Sequence, residues 1–287
     1  MTAIRTRSTS PRQRRRFDPF QPFVYFIALL GVGITIAPIV YVIIGGFRST
    51  GQLAADPNGL PSPWVFTNYG KVLASSDFWT EVGNSATAAL TTTAGVVLLG
   101  VMAAFVIARY SFRGREALYT LFTVGLLFPL SVAILPLYLL LHNVGLLGSL
   151  PGVIIPQIAF ALPTTIIILV PFLRAIPQEL EDAASIDGAS RLGFFWRILL
   201  PLSGPGLVTV GVLAFVNSWN GFLLPLLVLS DPGTYTLPLG VQNFSTAYSQ
   251  DTAAVLAFTS LAMLPALVFF TLAERRIVGG LQGAVKG

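Results

Sequence analysis

The chain has 287 residues, 54% of them hydrophobic and only 10% charged, where soluble domains carry about 25% charged residues. That balance excludes an ordinary soluble domain and points to a protein embedded in a membrane. Lys and Arg total 17 against 12 Asp and Glu, and cysteine is absent, so there is no material for a disulfide framework or a thiolate metal site; His142 as the sole histidine argues against a catalytic triad or a metal cluster.

Residues 1–20 form a basic arm with Arg5, Arg7, Arg12, Arg14, Arg15 and Arg16, read as a cytosolic anchor. Arg14-Arg15-Arg16-Phe17 is similar to a twin-arginine export signal, but the next apolar run is too long for a cleaved signal and has no small-residue cleavage site. Six apolar runs follow, at 22–47, 84–108, 117–141, 152–173, 207–229 and 253–273, and none contains Asp, Glu, Lys or Arg. Each reaches the roughly 20 residues needed to cross a bilayer as a helix. Prolines within them, such as Pro38, Pro129, Pro136, Pro163 and Pro265, predict kinks. The expected fold is an all-α polytopic membrane protein with six transmembrane helices, formed by residues 21–287.

The connecting segments predict orientation. The arm, the segment with Arg109, Arg113 and Arg115, the segment with Arg174, Arg191 and Arg197, and the tail with Arg275, Arg276 and Lys286 hold all the basic residues except Arg48 and Lys71. Basic residues favour the cytoplasm, so both termini and the 174–205 loop are expected inside. The same distribution argues against nucleic acid as the reason for the basic excess. His142, at the end of an apolar run, reads as an interfacial residue. Outside, residues 48–83 form the longest loop, with Pro57, Gly59, Pro61 and Pro63 at turns and Trp64 as an interfacial anchor.

The 174–205 segment is the main polar interruption. Pro177 suits the first position of a helix, and Glu179, Glu181 and Asp182 set negative charge at its positive end. Gly188 suits a left-handed stop, giving a short helix over 177–187. Leu180, Ala183, Ala184 and Asp187 fall on one face. Ser190 is placed to cap a second helix containing Phe194, Phe195 and Trp196, which Pro201 and Pro205 are predicted to end. The residues alone leave two readings, a surface loop that binds nothing and a docking element.

Within the fifth run, Asn217-Ser218-Trp219-Asn220 sits among apolar residues. Amides pair with hydroxyls, and an indole face packs on a sugar ring. The alternative is interhelical hydrogen bonding, which is also the preferred reading of Asn84, Ser85, the threonines at 91–93 and Gln157. No phosphate-binding G-x-x-x-x-G-K-[ST] loop occurs, so the chain is not expected to hydrolyse ATP. Gly31-Val32-Gly33 has no third glycine at dinucleotide-binding spacing and reads as helix packing. Runs without ionisable residues argue against an ion-driven carrier and for a neutral solute.

Asp182-Ala183-Ala184, Gly188 four residues on, and Ile198-Leu199-Leu200-Pro201 after nine more residues together resemble the cytoplasmic loop of ATP-binding-cassette (ABC) importer permeases. Asp182 stands where that pattern usually has glutamate. Ile186-Asp187-Gly188-Ala189-Ser190, Thr236-Leu237-Pro238-Leu239-Gly240 and the tail from Glu274-Arg275-Arg276 to Gly287 are similar to segments of sugar importers, so the resemblance covers nearly all the chain after the arm.

The resemblance implies a type I ABC importer permease fold, similar to the smaller subunit of maltose importers, in the plasma or inner membrane. It implies ATPase coupling through Leu180, Glu181, Asp182, Ala183, Ala184, Asp187, Gly188, Ala189, Ile198 and Pro201, and solute contact through Asn217, Trp219 and Asn220. It also implies a second homologous permease subunit, an ATPase dimer that holds ATP and Mg, an extracytoplasmic sugar-binding protein, and no cofactor or metal in this chain. The 230–251 segment would probe the docked binding protein. The rival readings are an importer permease for another neutral solute, an ion-coupled carrier, and a membrane scaffold without transport.

Overall fold

The computed structural model describes residues 20–244 and 251–284, with side chains as far as Thr271; the basic arm lies outside them except for Phe20. Among the described residues every regular element is helical. The helix α1 (Gln21–Gly45) leaves nearly all its apolar side chains exposed. It meets the bundle near its C-terminus, where a Cβ on Gly45 would stand 2.5 Å from Leu256 Cδ1.

The 48–83 stretch is more ordered than its turn residues predict. Two short helices, α2 (Thr50–Ala55) and α3 (Thr67–Ala74), occupy it, and α2 starts in a capping box between Ser49 and Gln52. Arg48 is buried, and its guanidinium donates to the carbonyls of Pro57, Gln52 and Asp56. Asn68 Nδ2 donates to the carbonyls of Gly46 and Arg48 at 2.9 and 2.7 Å. A buried cation is tolerable here because backbone dipoles replace its hydration.

The long helix α4 (Ser76–Arg109) begins eight residues before the second apolar run, with Asp77 in its first turn and Arg109 in its last, each favourable to the helix dipole. Its 34 residues make a rod about 50 Å long. The early start brings Glu81 into the helix, which the uncharged-span reading did not foresee. Glu81 is 1% exposed, and its Oε1 accepts from Asn243 Nδ2 at 2.6 Å.

The third apolar run is not one helix. It divides into α5 (Arg115–Gly125) and α6 (Leu130–Asn143), bent by 101°. Pro129 is the cause, since a proline drives the preceding residue out of helical conformation. Next comes α7 (Leu150–Arg174), entered through Gly145 and Gly148, both at positive φ, and started by Ser149, whose Oγ accepts from Gly152 N. The polar segment follows as α8 (Glu179–Ile186) and α9 (Arg191–Phe194), then a π-helical turn (Phe195–Leu199) and α10 (Leu200–Leu202).

Pro201 does not end the second helix. The chain stays helical to Leu202, and the wide π turn precedes the point where proline withholds its donor from the Arg197 carbonyl. A 76° bend then leads into α11 (Gly204–Trp219), with Pro205 in its first turn. The fifth apolar run breaks as well. Asn220 and Gly221, both poor helix formers, separate α11 from α12 (Leu223–Val228). A short α13 (Leu237–Gly240) and the long α14 (Thr252–Ala284) complete the described chain. Among the described residues four helices are long and apolar enough to cross a membrane, rising to six if each bent pair counts as one span.

The bundle centres on α4, with α7 and α11 against it. A Cβ on Gly100 would lie 2.3 Å from Thr165 Cγ2, and one on Gly95 would lie 2.5 Å from Ile158 Cδ1. These glycines let α4 and α7 approach as helices do in membranes, where small residues replace hydrophobic drive. At one end of α4, Asn84 Nδ2 donates to the carbonyls of Gly233 and Tyr235, both at 3.0 Å, and Ser85 Oγ accepts from Leu237 N at 2.7 Å. The structural reading of Asn84 and Ser85 is therefore borne out. At the other end, Val101, Ala104, Phe105 and Ile107 form one core with Ile166, Leu173, Ala184, Phe194 and Leu199.

Two outcomes follow from this packing. Gly100→Val overfills the α4–α7 contact by about 1–3 kcal/mol and lowers the thermal unfolding midpoint in detergent; an unchanged midpoint would mean the two helices are not in that contact. Asn84→Leu removes two hydrogen bonds of about 1 kcal/mol each and speeds hydrogen–deuterium exchange across residues 233–240 while leaving exchange in α8 unchanged.

Candidate coupling surface and membrane cavity

The polar segment builds a short helix with a defined stop. It starts at Glu179, two residues after Pro177, and Gln178 caps it without a side-chain bond, so Glu179, Glu181 and Asp182 in the first turn supply the favourable charge. At its end Gly188 adopts φ +79°. Ala189 N donates to the Ala184 carbonyl at 2.8 Å and Gly188 N to the Ser185 carbonyl at 3.1 Å, the paired bonds of a Schellman stop. Ser190 then caps α9, its Oγ accepting from Gly193 N at 3.1 Å. Both sequence-level capping expectations hold.

The shared face predicted for Leu180, Ala183, Ala184 and Asp187 divides. Ala184 is buried in the core with Phe194, Phe195 and Leu199, so it anchors α8 to the bundle and presents nothing outward. Leu180, Asp182, Ala183, Asp187, Gly188 and Ala189 are exposed. Ile198 packs half-buried against the core, and Pro201 is exposed. The outer surface also carries apolar side chains, with Ile186 86%, Leu192 69% and Trp196 51% exposed. Docked on the bundle through Ala184, half-buried at Glu181 and open elsewhere, α8 makes an acidic and apolar knob.

Two residues that the sequence reading used only for charge, or not at all, hold this knob to α4. Arg109 Nη2 donates to the Ile176 carbonyl at 2.8 Å. Tyr110 lies under the Arg191 guanidinium, 4.9 Å from its ring centre, and its hydroxyl reaches Glu181 Oε1 at 3.5 Å. Burial, then the nearby Glu181 carboxylate, push the Tyr110 phenol above its ordinary range, so it keeps its donor proton. The available signal was a Tyr directly after the basic residue that follows a long apolar run.

Along one side of the bundle, α4, α7 and α11, with the first turns of α6 and α12, line a partly open cavity of about 300 Å³. Asn217 lines it, together with Gln157, Thr164, Phe160 and Phe222. Trp219 and Asn220 do not. Two residues round a helix is about 200°, which turns Trp219 to the opposite side of α11. There it is 4% exposed, stacks on Phe215 and donates from Nε1 to the Ala262 carbonyl at 3.3 Å. Asn220 is exposed at the end of α11. The three residues grouped by sequence proximity are thus separated; Gln157 lines the cavity and also bears out its structural reading, accepting from Thr92 on α4 and Ser218 on α11. Among the described residues no group of His, Asp and Glu is placed to hold a metal.

Comparison with known proteins places this geometry. Residues 96–278 match the family described as the binding-protein-dependent transport system inner membrane component. The chain is 34% identical to the diacetylchitobiose uptake system permease protein NgcG of Streptomyces coelicolor, over 92% of this chain and 88% of the relative. It is 35% identical to the trehalose transport system permease protein SugB of Mycobacterium tuberculosis, over 90% of this chain and 95% of the relative. The fold is similar to a chain of a bacterial ABC transporter involved in import of the acidic polysaccharide alginate, with a TM-score of 0.76 at 22% identity, covering 93% of this chain and 99% of that one. With most of its helical bundle matched, this multi-pass membrane protein belongs to the family of binding-protein-dependent transport system inner membrane components.

Proposed function

We propose that this chain is the membrane-spanning permease subunit of an ABC importer that passes a sugar or oligosaccharide delivered by a soluble binding protein. The observation that carries the reading is the α8 knob, a short helix fixed to the bundle by Ala184 and ended at Gly188, with acidic and apolar side chains left open. Such a surface suits a cleft in a separate ATPase subunit, which would hold ATP and Mg. Relatives named for diacetylchitobiose, trehalose and arabinooligosaccharides support a carbohydrate as solute. A second permease subunit would complete the pathway, and the exposed apolar surface of α1 suits that partner or lipid. The charge distribution supports cytoplasmic termini and a cytoplasmic α8, with the 230–244 segment facing the binding protein.

Coupling in this arrangement is mechanical. Closure of the ATPase pair would move α8. Its contacts with Arg109, Tyr110 and the α4–α7 core would pass that motion to the long helices as a rigid unit. A displacement of this kind has two discrete arrangements biased from both sides of the membrane.

Gly188→Val forces a β-branched residue into a left-handed position, at about 1–2 kcal/mol, and shifts the end of α8. In proteoliposomes holding the whole transporter, uptake from a panel of labelled disaccharides should fall, and ATP hydrolysis should no longer rise when loaded binding protein is added. Unaltered uptake and stimulation would remove α8 from coupling. Uptake by the wild type that ran without ATP and collapsed with an ion gradient would replace the importer reading with a secondary carrier.

A further inference from the structure

Among the described residues Glu81 is the only acidic side chain that is buried, at 1% exposure. It receives one hydrogen bond, from Asn243 Nδ2 to Oε1 at 2.6 Å. Its other oxygen, Oε2, is buried without a partner. Both oxygens lie against Gly240, where a Cβ would collide with them, so the bare backbone of that glycine is what admits the carboxyl. A second polar atom on this side of α4 is stranded as well. Thr236 Oγ1, at the start of α13, is buried with no partner.

The surroundings set the charge state of this group. A carboxylate has room for about four donors, and this one finds one. Among the described residues no Lys, Arg or His pairs with it, and Asp77, one helical turn earlier, adds a like charge. The segments α11, α13 and the 3-10 turn Val241–Phe244 carry no titratable side chain. Asp231 bonds Gly233 N, and Tyr235 packs against the cluster of Leu141, Leu224 and Leu239. Before α14, Asp251 accepts from Thr50 Oγ1 and Ala254 N, and Lys71 on α3 is exposed. The α4 rod is about 50 Å long against a hydrocarbon layer of roughly 30 Å, and its apolar run begins only at Asn84. Glu81 therefore sits past the spanning part, at the rim. Burial first, and then Asp77, push its carboxyl from an ordinary 4.5 up to about 7.

We propose that the Glu81 carboxyl is a proton-operated clasp, which locks residues 238–244 on α4 when neutral and lets them lift when ionised. The neutral acid needs fewer donors and tolerates the closed seam. The anion needs water, which reaches it only if the turn leaves Gly240's contact. Asn84 and Ser85 hold the backbone at 233–237 whatever the pH, so the residues after them are the part that moves. The closed form binds the proton more tightly than the open one. The clasp is therefore fully held below a pH of about 4.5, weakens as pH rises to about 7, and stays loose above that. By the charge distribution this end of α4 faces outward, so the acidity of the surrounding medium would set how readily the turn is released. The clasp does not depend on the importer reading.

The test is amide hydrogen exchange on the intact transporter in lipid nanodiscs, where both faces meet one buffer, with rates corrected for the intrinsic effect of pH. Protection of residues 238–244 should fall about tenfold or more between a pH of about 5.5 and a pH of about 8, while protection in α7 stays level. Glu81→Gln keeps an acceptor for Asn243 and cannot ionise, so its turn should stay protected at both. Gly240→Ala displaces the carboxyl and should leave the turn weakly protected at both. Asp77→Asn removes the like charge and should move the midpoint to lower pH. Constant protection of the turn in the wild type overturns the proposal. So does a Glu81→Gln protein that loses protection with pH as the wild type does, since the carboxyl would then only fill space. A loss shared equally by α7 also overturns it, because the whole bundle and not the clasp would be responding.

Discussion

The contact between α4 and α7 is the constraint on which the rest of the bundle depends. In lipid, two apolar helices gain nothing by hiding apolar surface from each other, so they associate only through close packing and hydrogen bonds. Gly95 and Gly100 admit Ile158 and Thr165 to distances at which any side chain on α4 would collide. That approach also brings Thr92 within reach of Gln157. The same seam therefore supplies packing and polar pairing, and it sets one wall of the cavity.

From this seam α4 extends past both ends of the apolar layer. At one end Glu81, Asn84 and Ser85 hold the 233–243 segment by hydrogen bonds, mostly to its backbone. At the other, Arg109 and Tyr110 hold the segment that carries α8. One straight element thus touches the two polar regions that the proposed function requires to communicate. Loops fixed to a common rod cannot move independently of it, which gives a physical route for coupling without a chain of small side-chain shifts.

The interior is polar in a restrained way. Hydroxyls and amides occur at the α4–α7–α11 junction, while ionisable groups stay near the helix ends. Arg48 donates to backbone carbonyls, and Glu81 accepts from the Asn243 amide. The breaks at Pro129 and at Asn220–Phe222 bring the first turns of α6 and α12 to the cavity wall, where uninterrupted helices would have carried those residues elsewhere.

The sequence by itself determined the membrane class, the apolar runs, the polar segment, and the start and stop signals of its helices. Each of these follows from composition, periodicity or a conformation that one residue type adopts cheaply, as Gly188 does at φ +79°. It misplaced what depends on rotation and long-range contact. Ala183 and Ala184 are neighbours in sequence, yet only Ala184 enters the core; Asn217 and Trp219 share a helix, yet face opposite ways. Proline content predicted kinks but not a 101° break, because the angle is fixed by what the next helix packs against. How the polar side chains within the spans pair was decided only in three dimensions, where Thr92 and Ser218, more than 120 residues apart along the chain, converge on the single amide of Gln157.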